Sequence, residues 1–152
     1  MGRGFNCSCN KCGYSFSANL GVGFLYPDVV SDTKAAMIAG EYGSQGKEFF
    51  DKYPNGSVDC DAVIAKCNKC KEYIPVLRLS LYKPKDHIKF DENRLWDTET
   101  YFDFVEEYRH TCEKCGERLE IVEDIEDKLI NGEVSCLKCG GLMSMNDIIF
   151  WD

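Results

Sequence analysis

Eight cysteines of this chain fall into four C-x-x-C pairs: CNKC at 9–12, CNKC at 67–70, CEKC at 112–115 and CLKC at 136–139. Two thiolates from one tight turn can reach a single ion at the roughly 2.3 Å of a zinc–sulfur bond, and a second pair completes a tetrahedron. Four pairs therefore make two metal sites. Cys9, Cys12, Cys67, Cys70, Cys112, Cys115, Cys136 and Cys139 suit two zinc ions, with iron as the alternative because it takes the same four thiolates. Lys precedes the second cysteine of every pair (Lys11, Lys69, Lys114, Lys138). An ammonium there would offset the −2 charge of a tetrathiolate site and favour the thiolate form. Gly13, Gly116 and Gly140 follow three of the pairs and permit the backbone geometry that closes the turn. Lys71 holds that place after the second pair, the least regular of the four.

Ten cysteines in 152 residues require either disulfides or metal as staples. The opening MGRGFNCSCN lacks the apolar run of a signal peptide, and no stretch reaches the roughly 18 apolar residues of a membrane helix. The expectation is a cytoplasmic protein without membrane attachment, where paired cysteines are metal ligands. A thioredoxin-type role would need one reactive pair and leave three redundant.

Between Cys115 and Cys136 lie 20 residues, the upper limit of the C-x₂-C-x₁₅₋₂₀-C-x₂-C template. This spacing predicts one site from Cys112, Cys115, Cys136 and Cys139, leaving Cys9, Cys12, Cys67 and Cys70 to form the other across 54 intervening residues. An interleaved alternative, first pair with third and second with fourth, stays open. The turns resemble the knuckles of zinc ribbons and rubredoxins, and CNKCGYSF at 9–16 is especially similar to the first rubredoxin turn. The GVGFLYP, GEYG-like and PNGSVDC segments between the first two pairs also resemble short bacterial zinc-binding proteins. That resemblance implies pairing across residues 9–70 and no particular activity.

Elements must bring the knuckles together. The predicted fold is a small, metal-stabilised α+β protein of two zinc-ribbon-like β modules. A module over residues 1–90 carries a helical insertion at about 17–59, and an acidic zinc-ribbon module occupies 91–152. In the insertion, Ser31 and Asp32 can cap a helix through TKAAMIA ending at Gly40, and a second helix runs through GKEFFDKY to Pro54. Phe24, Leu25, Met37, Ile38, Phe49 and Phe50 are expected to pack on the knuckle strands. Alternation in EYIPVLRLSLY places Leu77, Leu79 and Leu81 on one face and Arg78, Ser80 and Tyr82 on the other, a half-buried strand. Polar, proline-containing KPKDHIKFDENRLWDTET reads as a connection, with FVEEY, ERLEIVED and LMSMNDIIFW as strands around the last two knuckles.

No catalytic constellation is visible. Four thiolates close a zinc site to the water that catalysis needs. The deaminase signature is missing, because Ile88 and Lys89 follow His87 and no knuckle follows a proline. GVG at 21–23 lacks the third glycine of a nucleotide loop. Cys7 and Cys60 are expected to be buried spectators, and His110 is a substitute ligand only if a cysteine is displaced.

Residues 1–90 carry 12 Lys/Arg against 9 Asp/Glu, and residues 91–152 carry 6 against 17, so the two stretches differ at +3 and −11. Two tetrathiolate zinc sites would move them to about +1 and −13. The favoured reading is a non-catalytic zinc protein that binds another protein. Nucleic acid is the alternative partner, through Lys66, Lys69, Lys71, Arg78, Lys83, Lys85 and Lys89 with Tyr73 and Tyr82 to stack. A third reading makes the acidic stretch a polyanion mimic.

Overall fold

The computed structural model describes residues 2–151. Strands β1 (Gly2–Cys9) and β2 (Ser15–Leu20) form a hairpin whose turn is the first knuckle. Helices α1 (Tyr26–Ala39) and α2 (Gly43–Lys52) follow, then a second hairpin, β3 (Ser57–Cys67) and β4 (Glu72–Pro84), turning at the second knuckle. A 3₁₀ turn at Glu92–Arg94, helix α3 (Thr98–Tyr101), strands β5 (Phe102–Glu107) and β6 (Glu120–Ile121), helix α4 (Ile125–Ile130) and strand β7 (Met143–Trp151) complete the chain. The result is α+β with one sheet of order β2-β1-β7 and another of order β5-β4-β3-β6. No helix among the described residues is long and apolar enough to cross a membrane.

Two compact units emerge. The first comprises Met1–Gly23, Ala62–Leu77 and His110–Asp152; the second comprises Phe24–Asp61 and Arg78–Arg109. Residue 90 lies inside the second, so the expected cut there does not separate compact bodies. Ladders explain the difference: β1 pairs with β7 and β3 with β6, each across a long stretch of sequence. The charge contrast changes with the division, to 9 Lys/Arg against 11 Asp/Glu (−2) in the first unit and 9 against 15 (−6) in the second.

In the first unit the inner face of the β2-β1-β7 sheet supplies Phe5, Cys7, Phe16, Ala18 and Met143, and the core closes with Ile64, Tyr73, Ile125, Leu129 and Val134. In the second unit Met37, Phe49 and Phe50 are buried, whereas Phe24, Leu25 and Ile38 are 84%, 60% and 48% exposed. Only half of the six apolar residues expected to pack are thus covered. Helix α1 begins at Tyr26, ahead of the expected cap, since Pro27 pre-sets the first turn and leaves Ser31 and Asp32 inside the helix. Its end is as expected, with Gly40 at φ 87°. Leu79 and Leu81 are buried on β4, in keeping with the alternation.

Candidate metal centres

The four knuckles share one backbone design. The N–H of the residue after each second cysteine donates to the carbonyl oxygen of the first: Gly13 to Cys9 (3.1 Å), Lys71 to Cys67 (2.9 Å), Gly116 to Cys112 (2.8 Å) and Gly140 to Cys136 (2.8 Å). All four donors sit at positive φ, 76° for Gly13, 58° for Lys71, 74° for Gly116 and 75° for Gly140. Lys71 therefore adopts the same turn as the glycines, in a conformation that costs a side-chain-bearing residue about 1–2 kcal/mol.

Thiols gather in two groups, Cys9, Cys12, Cys136, Cys139 (site A) and Cys67, Cys70, Cys112, Cys115 (site B), the sulfurs within each all lying within 4.8 Å of one another. The pairing is nested, first knuckle with fourth and second with third. It overturns both the sequential assignment, with its contact between residues 9–12 and 67–70, and the interleaved alternative. Strand partnership is the reason. Cys9 at the end of β1 lies opposite Met143 at the start of β7, which sets the knuckle leaving β1 beside the knuckle entering β7. Ala65 and Lys66 near the end of β3 lie opposite Ile121 and Glu120, which does the same for the second and third knuckles.

Distances fit an ion. Cys9 and Cys139 sulfurs are 3.5 Å apart, Cys12 and Cys136 3.7 Å, Cys67 and Cys115 3.5 Å, and Cys70 and Cys112 3.8 Å. A tetrahedron with 2.3 Å metal–sulfur bonds has edges of about 3.8 Å, whereas a disulfide needs about 2.05 Å. Each site can therefore hold a metal ion. Amides aim at the sulfurs: Cys12 and Lys11 N–H donate to Cys9 Sγ, Cys70 N–H to Cys67 Sγ and Gly141 N–H to Cys139 Sγ. The Cys12 amide is the main cause of a Cys9 pKa lowered to about 6, and the Cys70 amide of a Cys67 pKa lowered to about 7. Hydrogen bonding to Cys115, then burial, pushes Cys70 up to about 12.

Cys7 and Cys60 are buried outside both groups, with burial raising their thiols to about 12 and about 11. His110 is no ligand here: its half-buried ring Nε2 meets the Leu77 carbonyl oxygen, and desolvation lowers its pKa. Knuckle lysines engage carboxylates, Lys114 and Lys138 with Glu72 (2.7 and 3.7 Å) and Lys69 with Glu117 (4.0 Å). Of the seven basic candidates for nucleic acid, Lys66, Lys69 and Lys71 belong to the first unit and Arg78, Lys83, Lys85 and Lys89 to the second. Lys66 pairs with Glu120 at 3.4 Å, and Lys85 Nζ donates to the Glu99 carbonyl oxygen.

Sequence reasoning missed three contributors. A Cβ on Gly141 would lie 2.8 Å from Lys11 Cβ and 3.0 Å from Cys9 Sγ, so only glycine lets this backbone approach site A; the doubled Gly140-Gly141 was the available signal. Glu72 and Tyr14, both just past knuckles, are the others, and nothing in their spacing marked them.

Fold and site together define a small α+β protein with two four-cysteine metal modules. Comparison with protein-family models, with curated proteins and with solved structures finds no match.

Proposed function

We propose that this is a non-catalytic zinc-ribbon-like protein whose two four-cysteine sites hold structural zinc and whose activity is to bind another protein. One observation carries the metal reading: two groups of four sulfurs, all within 4.8 Å of one another and with two separations of 3.5–3.8 Å in each group, made by four cysteines and by no histidine or carboxylate. Four thiolates saturate zinc and leave no position for a reacting water. Hard cations are disfavoured by an all-sulfur ligand set. Elemental analysis of protein purified without added metal tests it: two zinc ions per chain and a colourless solution are expected, and iron with visible thiolate-to-iron absorption overturns the zinc assignment.

Support for a protein partner comes from strand β7, an edge of its sheet, on which Ile148, Ile149 and Phe150 are 51%, 60% and 65% exposed. An open strand edge carrying apolar side chains is suited to pairing with an extended segment of another chain. Capture from lysate should yield a protein whose recovery is lost with Ile149→Asp and unchanged by nuclease; recovery that nuclease abolishes would favour nucleic acid instead.

A further inference from the structure

We infer that the two metal sites are thermodynamically linked, filling one raising the affinity of the other, through the tip of the second knuckle. This inference rests on the metal reading above. Glu72 and Tyr73 stand two and three residues past Cys70, so an ion at site B fixes where they lie. Both reach site A. Tyr73 N–H donates to the Tyr14 hydroxyl at 2.8 Å, and Tyr14 is two residues past Cys12. Tyr73 Oη donates to the Ser135 carbonyl oxygen at 2.9 Å, and Ser135 is the residue before Cys136. Both arms of site A are thus held by one side chain and its own backbone. The ring of Tyr73 is 8% exposed and lies 4.9 Å from that of Phe16, which leaves it no alternative position without opening the core.

Glu72 adds a second connection. Its carboxylate accepts from Lys114 Nζ at 2.7 and 2.9 Å and lies 3.7 Å from Lys138 Nζ. Lys114 directly precedes Cys115 of site B and Lys138 directly precedes Cys139 of site A. One carboxylate therefore clamps a knuckle from each site, and the recurring C-x-K-C lysine acquires a use besides balancing thiolate charge. When site B is empty, the second and third knuckles lose their common anchor, and Tyr14, Ser135 and Lys138 lose fixed partners. Site A, its β1–β7 ladder still paired, must then order the residues flanking its cysteines at the moment of binding, which weakens its apparent affinity. Reciprocity requires the same factor in the other direction.

The test uses the full chain, reduced and freed of metal, with cobalt(II) added at one equivalent per chain and species counted by native mass spectrometry. All eight ligands stay intact in the variant Glu72→Gln/Tyr14→Phe/Tyr73→Phe, which removes the carboxylate charge and two hydroxyls but keeps side-chain shape. For a coupling of about tenfold between otherwise equal sites, the one-ion species falls to about a quarter of chains, against half for equal independent sites. The expected result is a one-ion fraction that is clearly higher in the variant than in the native chain. The same distribution in both overturns the linkage while leaving two metal sites in place. Failure of the native chain to take up any ion would instead strike the metal reading.

Discussion

Sites A and B are built to one plan and held with unequal strength. Each joins a knuckle at a hairpin turn to a knuckle leading into a strand antiparallel to the first strand of that hairpin. In site A that strand is β7, matched to β1 over eight residue pairs and floored by Phe5, Phe16 and Met143. In site B it is β6, matched to β3 at two residue pairs. Site A can thus keep its two arms adjacent by packing and backbone hydrogen bonding, whereas site B would depend far more on an ion. A structural zinc contributes on the order of 10–16 kcal/mol of apparent binding free energy at neutral pH. Stringent chelation should therefore destabilise the first unit, opening residues 110–121 before the β1–β7 ladder, and single-ligand variants should separate the sites. With Cys115→Ser, amides of residues 110–121 should lose hydrogen-exchange protection. With Cys12→Ser, the β1–β7 amides should stay protected. Equal loss in the two variants would erase the distinction.

The same asymmetry explains what the sequence could and could not reveal. Each knuckle is a local object: two cysteines, a lysine and, in three of the four, a glycine within five residues dictate one turn, and all four were legible. The tight turns at CNKC and the strand through Leu79 and Leu81 were legible for the same reason. Pairing was not, because it depends on which distant strand lies beside β1, and the β7 segment MSMNDIIFW has no residue that names its partner. The 20-residue spacing between Cys115 and Cys136 fits a template by length, but it holds helix α4, whose Ile125 and Leu129 are buried in the core. That segment connects two sites rather than the halves of one. The polar stretch around residue 90 lies within one compact unit, where Asp91 caps a 3₁₀ turn and Asp97 caps α3.

If packing is what spares site A, damaging the packing should make the sites alike. Phe5 lies at 3% exposure on β1, directly opposite Ala18 and Ile148. Phe5→Ala should cost about 3–5 kcal/mol, the usual range for a buried phenylalanine. With both ions bound the midpoint of thermal unfolding should fall. Exchange protection of β1 and β7 should then become as dependent on metal as that of residues 110–121.

A smaller difference sits in the knuckles themselves. Site A uses Gly13 and Gly140 at positive φ, and site B uses Gly116 and Lys71. Lys71 is exposed and accepts the left-handed conformation at a cost that glycine avoids. Part of the gain from Lys71→Gly is returned as unfolded-chain entropy. A net stabilisation of about 1 kcal/mol is expected in chemical denaturation of the metal-loaded chain. Gly116→Ala should destabilise by a similar amount.

Protons give the least of the expected differences, and its sign follows from the thiols. Metal binds the thiolate, so any thiol still protonated must release its proton, and affinity falls as pH falls through that group's pKa. In the metal-free chain Cys9 of site A titrates at about 6 and Cys67 of site B at about 7, each lowered by the amide of the second cysteine in its knuckle. From pH 7 to pH 6 the ionised fraction of Cys67 falls more than that of Cys9, so these two thiols weaken site B more than site A, a ratio of losses above one. Cobalt competition against a chelator at the two pH values, read in single-site variants with Cys12→Ser or Cys115→Ser, measures that ratio. A steeper fall at site A would mean that the Cys12 amide does not hold Cys9 in its thiolate form.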